Sequence, residues 1–466
     1  MRQVFKSGAT RARAKAWGLW VLFGTAWAGV AHACGATSPW GWLVLLLALG
    51  IGTRLILLRR QPRKIPVLNY HSVSAAPEWL QFGIGASLTP ASFERQLAYL
   101  ERHGYKSLFV SEVADALAGR LKLAKRGKYV ALTFDDGYAD NWLAAFPLLQ
   151  AHGFRATLFI NTGFVEDAAE CRPFGWPKAA STQDWTGYLT WPELRALKAT
   201  GLIEIQSHGW SHGRVFAGPE LRGFIGPGKP NPWLLWNLRP ETRSYWWREL
   251  ATDRSLWGQP VFRQAPALAR PAWRPDPEAV AHLMSWARAN GGEVFAMPDW
   301  ERRLREEWRR YLREHGDHGS WESREEYEWR IDEDVREARE TLERELGGKA
   351  TALCWPENDF TEAGESVARR AGYAITVSNR HNTRNAVGEV PGRLVRTFVG
   401  SEAAGFRSPL LDFVGFVLEL KVFEGWYVAY PLLFLFHRAK GIVRTARQLL
   451  SPRGDSGGAG VLERRK

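Results

Sequence analysis

The feature that most constrains the fold is a regular alternation of short apolar runs with helical segments between residues 65 and 206. The runs at 65–71, 129–134, 157–160 and 203–206 have the length and apolar character of buried strands. Helical spacing of apolar residues marks the intervening segments 92–103, 141–152 and 191–199. Strands that alternate with helices in this way predict a parallel sheet with its helices outside.

The same rhythm returns after a long interruption. Strands are predicted at 350–353 and 374–377, with a helix at 361–370 between them. The interruption is rich in Trp, Pro and Arg, and helices predicted at 300–311 and 322–346 carry Glu and Arg at the i,i+4 spacing of a solvated surface. We therefore predict one α/β domain in two parts, 63–213 and 325–405, separated by a helical insertion at 214–324.

Long apolar runs lie near the N-terminus. The runs 17–33 and 42–58 predict an N-terminal membrane anchor at 1–62 with one or two transmembrane helices. The first run alternatively reads as a signal peptide cleaved after Ala31-His32-Ala33. Basic residues crowd 54–64, so the positive-inside rule predicts that the catalytic domain faces the cytoplasm at a bacterial-type inner (cytoplasmic) membrane.

The other end of the chain mixes apolar and charged positions. Residues 406–450 predict an amphipathic segment that lies on membrane lipids, followed by a flexible tail at 451–466. The chain has 62 Lys and Arg against 49 Asp and Glu, which predicts an anionic partner. Because the basic residues cluster beside apolar runs, we expect lipid headgroups and no nucleic acid. The three cysteines are far apart and predict neither a disulfide framework nor a thiolate zinc site.

Two adjacent carboxylates, Asp135 and Asp136, follow the predicted strand 129–134, and Gly137 permits a turn after them. Strand ends are where α/β folds place their chemistry. In an extended backbone the two side chains point to opposite sides, so one can bind a cation while the other accepts a proton. An Asp-Asp-Gly turn without any function is an equally good reading of this segment alone.

A pair of histidines, His208 and His212, follows the predicted strand 203–206. Four positions apart, the two imidazoles can share one face, as metal chelation requires. Two histidines and one carboxylate make a three-ligand set with an open position for water, which is typical of catalytic zinc. A His-x3-His pair on its own is better explained as a surface coincidence.

Taken together, the two motifs resemble the polysaccharide deacetylase family, also called the NodB-homology domain or carbohydrate esterase family 4. The long lead-in before the aspartates is most similar to the branch that deacetylates poly-N-acetylglucosamine. The resemblance covers residues 65–213 and about 325–400, with matching segments at 93–105, 133–137, 156–161, 191–195 and 208–212.

The resemblance implies a distorted (β/α) barrel of the NodB-homology type and a metal-dependent hydrolase. It implies Asp135 as the general base and, as ligands of a divalent metal, Asp136, His208 and His212. The segment Leu68-Asn-Tyr-His71 matches the displaced Leu-x-x-His pattern of that branch, which implies His71 as the acid that protonates the departing amine. His71 otherwise only caps its strand.

Three departures from the family pattern stand out. The later motif appears here as Cys354-Trp355-Pro356-Glu357-Asn358, where the family implies that the backbone N–H of Glu357 completes an oxyanion hole. The arginine that orients the base is missing from that motif, and Arg396 is a candidate substitute. Gly209 replaces the usual Ser or Thr of the histidine motif, so a supporting hydrogen bond is expected to be missing.

The function predicted from these residues is removal of an N-acetyl or similar small acyl group from an amino sugar. The substrate is an amino-sugar glycan or a polyprenyl-linked sugar, depending on the side of the membrane that the site faces. The alternative is a membrane-bound glycan- or lipid-binding protein that keeps the fold and has lost turnover.

Overall fold

The computed structural model describes residues 64–80, 84–174, 184–228, 231–249, 254–289, 292–381, 383–389, 392–399, 408–426 and 429–450, together with the single residues 25 and 42. Apart from those two single residues, the predicted anchor at 1–62 and the signal-peptide alternative lie outside the described residues. The predicted tail at 451–466 lies outside them as well.

The described elements alternate along the chain as expected. The strands are β1 Val67–Tyr70, β2 Ser72–Val73, β3 Ser87–Leu88, β4 Tyr105–Ser107, β5 Lys128–Phe134, β6 Ala156–Ile160, β7 Ile203–Ser207, β8 Arg214–Phe224, β9 Pro260–Pro266, β10 Trp273–Arg274, β11 Ser320–Trp321, β12 Ala352–Cys354, β13 Ile375–Val377, β14 Arg393–Leu394 and β15 Thr397–Phe398. The helices are α1 Pro90–Arg102, α2 Val110–Leu117, α3 Phe146–Ala151, α4 Trp191–Ala199, α5 Pro232–Leu238, α6 Trp246–Glu249, α7 Pro277–Ala289, α8 Trp300–His315, α9 Arg324–Leu346, α10 Glu362–Arg370, α11 Pro409–Phe423 and α12 Ala429–Leu450.

The central layer is a parallel sheet that curls into a half-barrel, with the strand order β14-β13-β12-β7-β6-β5-β1-β15 and β4 added beside β5. Strands from both sides of the insertion therefore share one sheet, with Leu353 of β12 opposite Ser207 of β7. All pairings in this sheet are parallel, so the carboxyl ends of its strands meet at one edge. The prediction of an α/β fold with a parallel sheet is confirmed.

Both faces of this sheet are covered. The last five residues of β5 and all five residues of β6 are buried, as expected for strands packed on both sides. One core contains Leu132, Leu158 and the inner face of α1, and the other contains Ala131, Phe159 and α2. Side chains that follow the strand ends are thereby fixed by a rigid scaffold.

The insertion contains the helix predicted at 300–311 and also a hairpin that its sequence did not reveal. Strands β8 and β9 pair antiparallel, with register shifts between Phe216 and Gly223. These irregularities interrupt the alternation that would mark a strand in the sequence. Phe262 of β9, Leu283 of α7 and Leu304 of α8 share a separate apolar core. The domain boundaries at 213 and 324 stay a prediction.

The segment predicted as one helix at 141–152 has two parts. A π-helical turn, Asn141–Ala145, precedes α3. Such turns are frequent at functional sites, and here Asn141 bonds the carbonyl oxygen of His71 at 2.9 Å.

The C-terminal region forms two helices, α11 and α12. Phe416 and Leu420 of α11 are buried in the core beside α1. Among the residues that the structure describes, no helix combines the length and the apolar character needed to cross a membrane.

Candidate active site

The predicted site residues gather at the carboxyl edge of the sheet. His71 follows β1, Asp135 follows β5 and His208 follows β7. Glu357 lies after β12, and Arg396 lies between β14 and β15. Because these strands are parallel neighbours, residues more than 300 positions apart meet at this edge.

Asp135 is held by a bidentate ion pair with Arg396. The guanidinium nitrogens Nη1 and Nη2 lie 2.7 and 2.6 Å from Oδ1 and Oδ2 of Asp135, and both side chains are 1% exposed. Burial alone would raise the pKa of Asp135, but Arg396, His208 and His71 hold it well below its usual range. The carboxylate is therefore ionised and fixed in orientation, as required of a proton acceptor.

Asp136 faces the two histidines. Its Oδ1 lies 3.5 Å from Nε2 of His208 and 3.5 Å from Nε2 of His212. Asp136 has a φ of 70°, so the backbone turns sharply at this residue instead of remaining extended. The two carboxylates are separated as expected, but by a left-handed turn and not by strand alternation.

The donor set fits a divalent cation. The Oδ1 atom of Asp136 is buried without a hydrogen-bond partner, and the ligand atoms of Asp136, His208 and His212 all lie within 4.8 Å of one another. Nδ1 of His208 lies 2.8 Å from the carbonyl oxygen of Cys354, which leaves Nε2 as the nitrogen with a free lone pair. Burial lowers the pKa of His208 to about 3 and lowers that of His212, so both imidazoles are neutral, as ligands must be.

A second group with metal-binding distances contains Asp135, His208 and Cys354. It fits a cation less well, because Arg396 already engages both oxygens of Asp135. Burial also raises the pKa of the Cys354 thiol well above its usual value, whereas a metal ligand must be a thiolate. Cys171 and Cys354 are free, the first exposed and the second buried.

His71 lies beside the predicted base. Its Nε2 is 3.6 Å from Oδ2 of Asp135, and the side chain is 19% exposed. Its Nδ1 is buried without a hydrogen-bond partner. The structure brings His71 into the cluster, and its role as the acid stays a prediction.

The side chain of Glu357 is neutralised by a residue that the sequence did not reveal. Nη1 of Arg214 lies 2.7 Å from Oε1 of Glu357. Arg214 follows His212 by two positions, and its guanidinium lies over the ring of Trp233, 5.3 Å from the centroid. Trp233 in turn stacks on His212 with ring centroids 5.7 Å apart. The insertion therefore contributes directly to the surroundings of the site.

Asn358 is a second residue that sequence reasoning missed. Its Oδ1 accepts a hydrogen bond from Nε of Arg396 at 2.9 Å, so it helps to hold the arginine against Asp135. Asn358 and Glu357 both have positive φ, as do Asp136 and His212. Non-glycine residues in this region cost on the order of 1–3 kcal/mol each and concentrate at functional sites. Among the described non-glycine residues, the one further residue with positive φ is Asn385, which bonds the backbone of Val395 next to Arg396.

An α/β sheet that presents a partly buried carboxylate and two neutral histidines beside an ion-paired aspartate is typical of metal-assisted hydrolases. The comparison with protein families points to one family of hydrolases. Residues 122–223 match the family model described as polysaccharide deacetylase. Over these residues, the resemblance predicted from the sequence is confirmed.

Two curated relatives carry names of this kind. The Bacillus subtilis (strain 168) protein YxkH, whose name places it among polysaccharide deacetylases, is 35% identical over 100 residues, which are 22% of this chain and 33% of that protein. The poly-beta-1,6-N-acetyl-D-glucosamine N-deacetylase of Escherichia coli (strain K12) is 29% identical over 126 residues, 27% of this chain and 18% of that protein. The chain thus spans a third or less of the length of either relative.

Solved structures show a more distant likeness. The deacetylase domain of BpsB from Bordetella bronchiseptica is 18% identical with a TM-score of 0.42, over 72% of this chain and 95% of that one. A de-N-acetylase from Aggregatibacter actinomycetemcomitans is 20% identical with a TM-score of 0.41, over 68% and 87%. At this identity and this score, neither structure bears on the function of this chain.

Proposed function

We propose that this chain is a metal-dependent hydrolase that removes an N-acetyl or similar small acyl group from an amino sugar. One observation carries the proposal: the two adjacent carboxylates have separate surroundings. Asp135 is locked by Arg396, whereas Oδ1 of Asp136 has no hydrogen-bond partner and faces two neutral histidines. Hydrolysis needs one carboxylate that accepts a proton and another that binds a metal, whereas a protein that only binds glycans needs neither.

Metal binding and proton transfer are assigned to different residues. Asp136, His208 and His212 would hold the cation, for which zinc is the best match to two imidazoles and one carboxylate. When bound, zinc supplies a lowered pKa for its water and polarises the acyl carbonyl. Asp135 is ionised in its pair with Arg396 and accepts the proton of the attacking water.

Departure of the amine needs a proton donor. His71 lies beside Asp135 with its side chain 19% exposed, and we assign it this step. The backbone N–H of Glu357 is assigned to the acyl oxygen as negative charge develops there. Pairing with Arg214 keeps the Glu357 carboxylate from opposing that charge.

The substrate that we propose is an N-acetylated amino-sugar glycan, either a polymer or a polyprenyl-linked precursor. The name of the Escherichia coli relative supports the polymer poly-N-acetylglucosamine. We further propose that the half-barrel belongs to a distorted (β/α) barrel of the NodB-homology type.

Membrane attachment is a separate part of the proposal. Helices α11 and α12 expose a set of apolar side chains, and the exposed Arg438 lies beside Phe434. The exposed apolar set includes Leu410, Leu432, Leu435, Ile442 and Val443. An apolar surface with basic neighbours suits anionic lipid headgroups. Together with the anchor expected at 1–62, it supports attachment to the inner (cytoplasmic) membrane with the site facing the cytoplasm.

The location of the site is tested by a reporter fused after Lys466 in the full chain. Activity of a reporter that works only in the cytoplasm supports a lipid-linked precursor as substrate. Activity of a reporter that works only outside contradicts the cytoplasmic orientation and favours a finished polymer.

The activity is tested by acetate release from N-acetylglucosamine oligomers, measured on the full chain after metal removal and after zinc is restored. We expect no release without metal and restored release with zinc. A chain that binds zinc stoichiometrically and the oligomer saturably, yet releases no acetate, would contradict the hydrolase and support the glycan-binding alternative.

A further inference from the structure

The loop that joins His208 to His212 is held from both sides. On one side, the backbone N–H groups of Thr162 and Gly163 bond the carbonyl oxygens of Gly209 and Trp210 at 3.3 and 3.0 Å. These contacts come from the turn that follows β6. They satisfy the carbonyl oxygens of Gly209 and Trp210. The N–H of Gly209 bonds Oγ of Ser207 at 3.1 Å, so the N–H groups of Trp210 and Ser211 need another partner.

That partner is Asp334, on helix α9 beyond the insertion. Its Oδ1 accepts the N–H of Trp210 at 2.9 Å, and its Oδ2 accepts the N–H of Ser211 at 3.1 Å. The carboxylate is 9% exposed, and a charge so buried is retained only where it is well bonded. The guanidinium of Arg243 lies 4.2 Å from the centroid of the Trp210 ring and brings a positive charge near Asp334.

Gly209 and Asp334 fit each other sterically. A Cβ atom at position 209 would lie 2.7 Å from Oδ1 of Asp334, and the φ of Gly209 is 81°. The position that carries Ser or Thr in the family pattern is therefore kept without a side chain, because the carboxylate occupies that space. The hydrogen bond expected to be missing from the loop is supplied by a different part of the chain.

We infer that Asp334 is a positioning residue that sets the geometry of the two histidine ligands through the backbone between them. The inference rests on the proposed function only in that the cluster binds a metal. His212 has a φ of 43°, a conformation that the loop holds only where its surroundings impose it. Without Asp334 the loop relaxes, and the two imidazoles no longer present their Nε2 atoms together.

The test is zinc affinity, measured on the full chain by competition with a chelator. Asp334→Ala is expected to weaken zinc binding about 10- to 100-fold, the usual effect of losing a group that orients a metal ligand. Asp334→Asn keeps one acceptor oxygen, and its zinc affinity is expected to lie between those of the wild type and Asp334→Ala. The matched control is Asp332→Ala on the same helix, since Asp332 pairs with Arg336 at the surface, and its zinc affinity should equal that of the wild type.

Thermal unfolding of the metal-free variants separates positioning from general stability. A lower midpoint for Asp334→Ala or Asp334→Asn with unchanged zinc affinity overturns the inference, because the residue would then only stabilise the fold. The absorption spectrum of bound Co²⁺ gives an independent readout, and we expect its d–d bands to shift in Asp334→Asn and not in Asp332→Ala.

A double substitution tests the steric pairing. Gly209→Ala should weaken zinc binding strongly in the wild type, where the new Cβ meets Oδ1, and less in Asp334→Ala, where only backbone strain remains. Equal losses in the two backgrounds overturn the pairing. Since the readout is metal binding, wild-type chain that binds zinc and hydrolyses no glycan contradicts the proposed function and leaves the role of Asp334 intact.

Discussion

At the scale of single residues, the site is defined by the ion pairs of its carboxylates. Asp135 and Asp136 are neighbours in sequence, yet one is matched by Arg396 and the other faces two neutral imidazoles. Glu357, a departure from the family pattern, is matched by Arg214. Asp135 and Glu357 are therefore each paired with an arginine, whereas Asp136 faces neutral groups, and removal of one of these charges should have a defined effect.

The pair of Arg214 and Glu357 gives the first prediction. Arg214→Ala frees the carboxylate of Glu357 beside the position where the acyl oxygen gains charge, and we expect kcat/KM to fall by about 10- to 100-fold. The double variant Arg214→Ala/Glu357→Gln should recover most of this loss, because the unpaired negative charge is gone. Arg222→Ala, which removes an exposed arginine paired with Glu220, is the matched control and should be neutral.

This prediction fails if the double variant is no more active than Arg214→Ala. In that case Arg214 would act through its contact with Trp233 and not through the charge of Glu357.

Motifs in the sequence identified some residues of the site and not others. Asp135, Asp136, His208 and His212 lie in two short motifs, and the structure brings both together. No role was predicted for Arg214, Asn358 or Asp334, because each acts through a partner that is distant in sequence. A weak signal did exist for Asp334, which adjoins the buried face of α9 formed by Ile331, Val335 and Ala338.

At the scale of elements, the segments that follow the strands carry the site, and their stability depends on buried polar groups. The segment after β13 leads to Arg396 and contains His381, which is 6% exposed. Its Nε2 lies 3.2 Å from Oγ1 of Thr376, and its ring packs on Phe360. The pKa of this histidine therefore bears on the stability of the segment that positions Arg396.

His381 gives a prediction for the dependence of stability on pH. Burial lowers the pKa of His381 to about 4, below the value of about 6.5 in an unfolded chain. Between these values the unfolded chain binds a proton that the folded chain does not, so the free energy of unfolding falls as the pH falls. From pH 7 to pH 5 this loss amounts to at most about 2 kcal/mol.

We therefore expect His381→Gln to lose less stability than the wild type between pH 7 and pH 5, measured by urea unfolding of the metal-free chain. His208 and His212 contribute a loss of the same sign in both proteins and cancel in the comparison. His103→Gln, at an exposed position, is the control. An equal loss in His381→Gln and in the wild type would show that the pKa of His381 in the folded chain is not lowered from its unfolded value.

Most elements were predictable because strands and helices here have clear periodic patterns. β5 and β6 are largely apolar runs of ordinary length, β7 alternates apolar and polar residues, and α9 begins with the capping box of Ser323 and Glu326. The hairpin β8–β9 was not predicted, because its register shifts break the alternation of side chains. Strands β14 and β15 have two residues each, too few to form a pattern.

At the scale of the whole molecule, the parallel sheet joins two segments of the sequence that the insertion separates. β7 and β12 are neighbours in the sheet although about 150 residues lie between them, which brings His208 next to Cys354. The insertion contacts the carboxyl edge of the sheet through Arg214 and Trp233. The general fold was thus predictable from the alternation of elements, whereas the contribution of the insertion depended on long-range contacts.

The central claim is that Asp135 and the group of Asp136, His208 and His212 together hydrolyse an N-acyl bond. Its most direct test compares acetate release from N-acetylglucosamine oligomers by the wild type and by Asp135→Asn, each with one zinc bound per chain. We expect the variant to retain zinc and the oligomer and to lose at least about 100-fold in kcat, because only the proton acceptor is removed. Equal acetate release by the two proteins at equal zinc content would contradict the account.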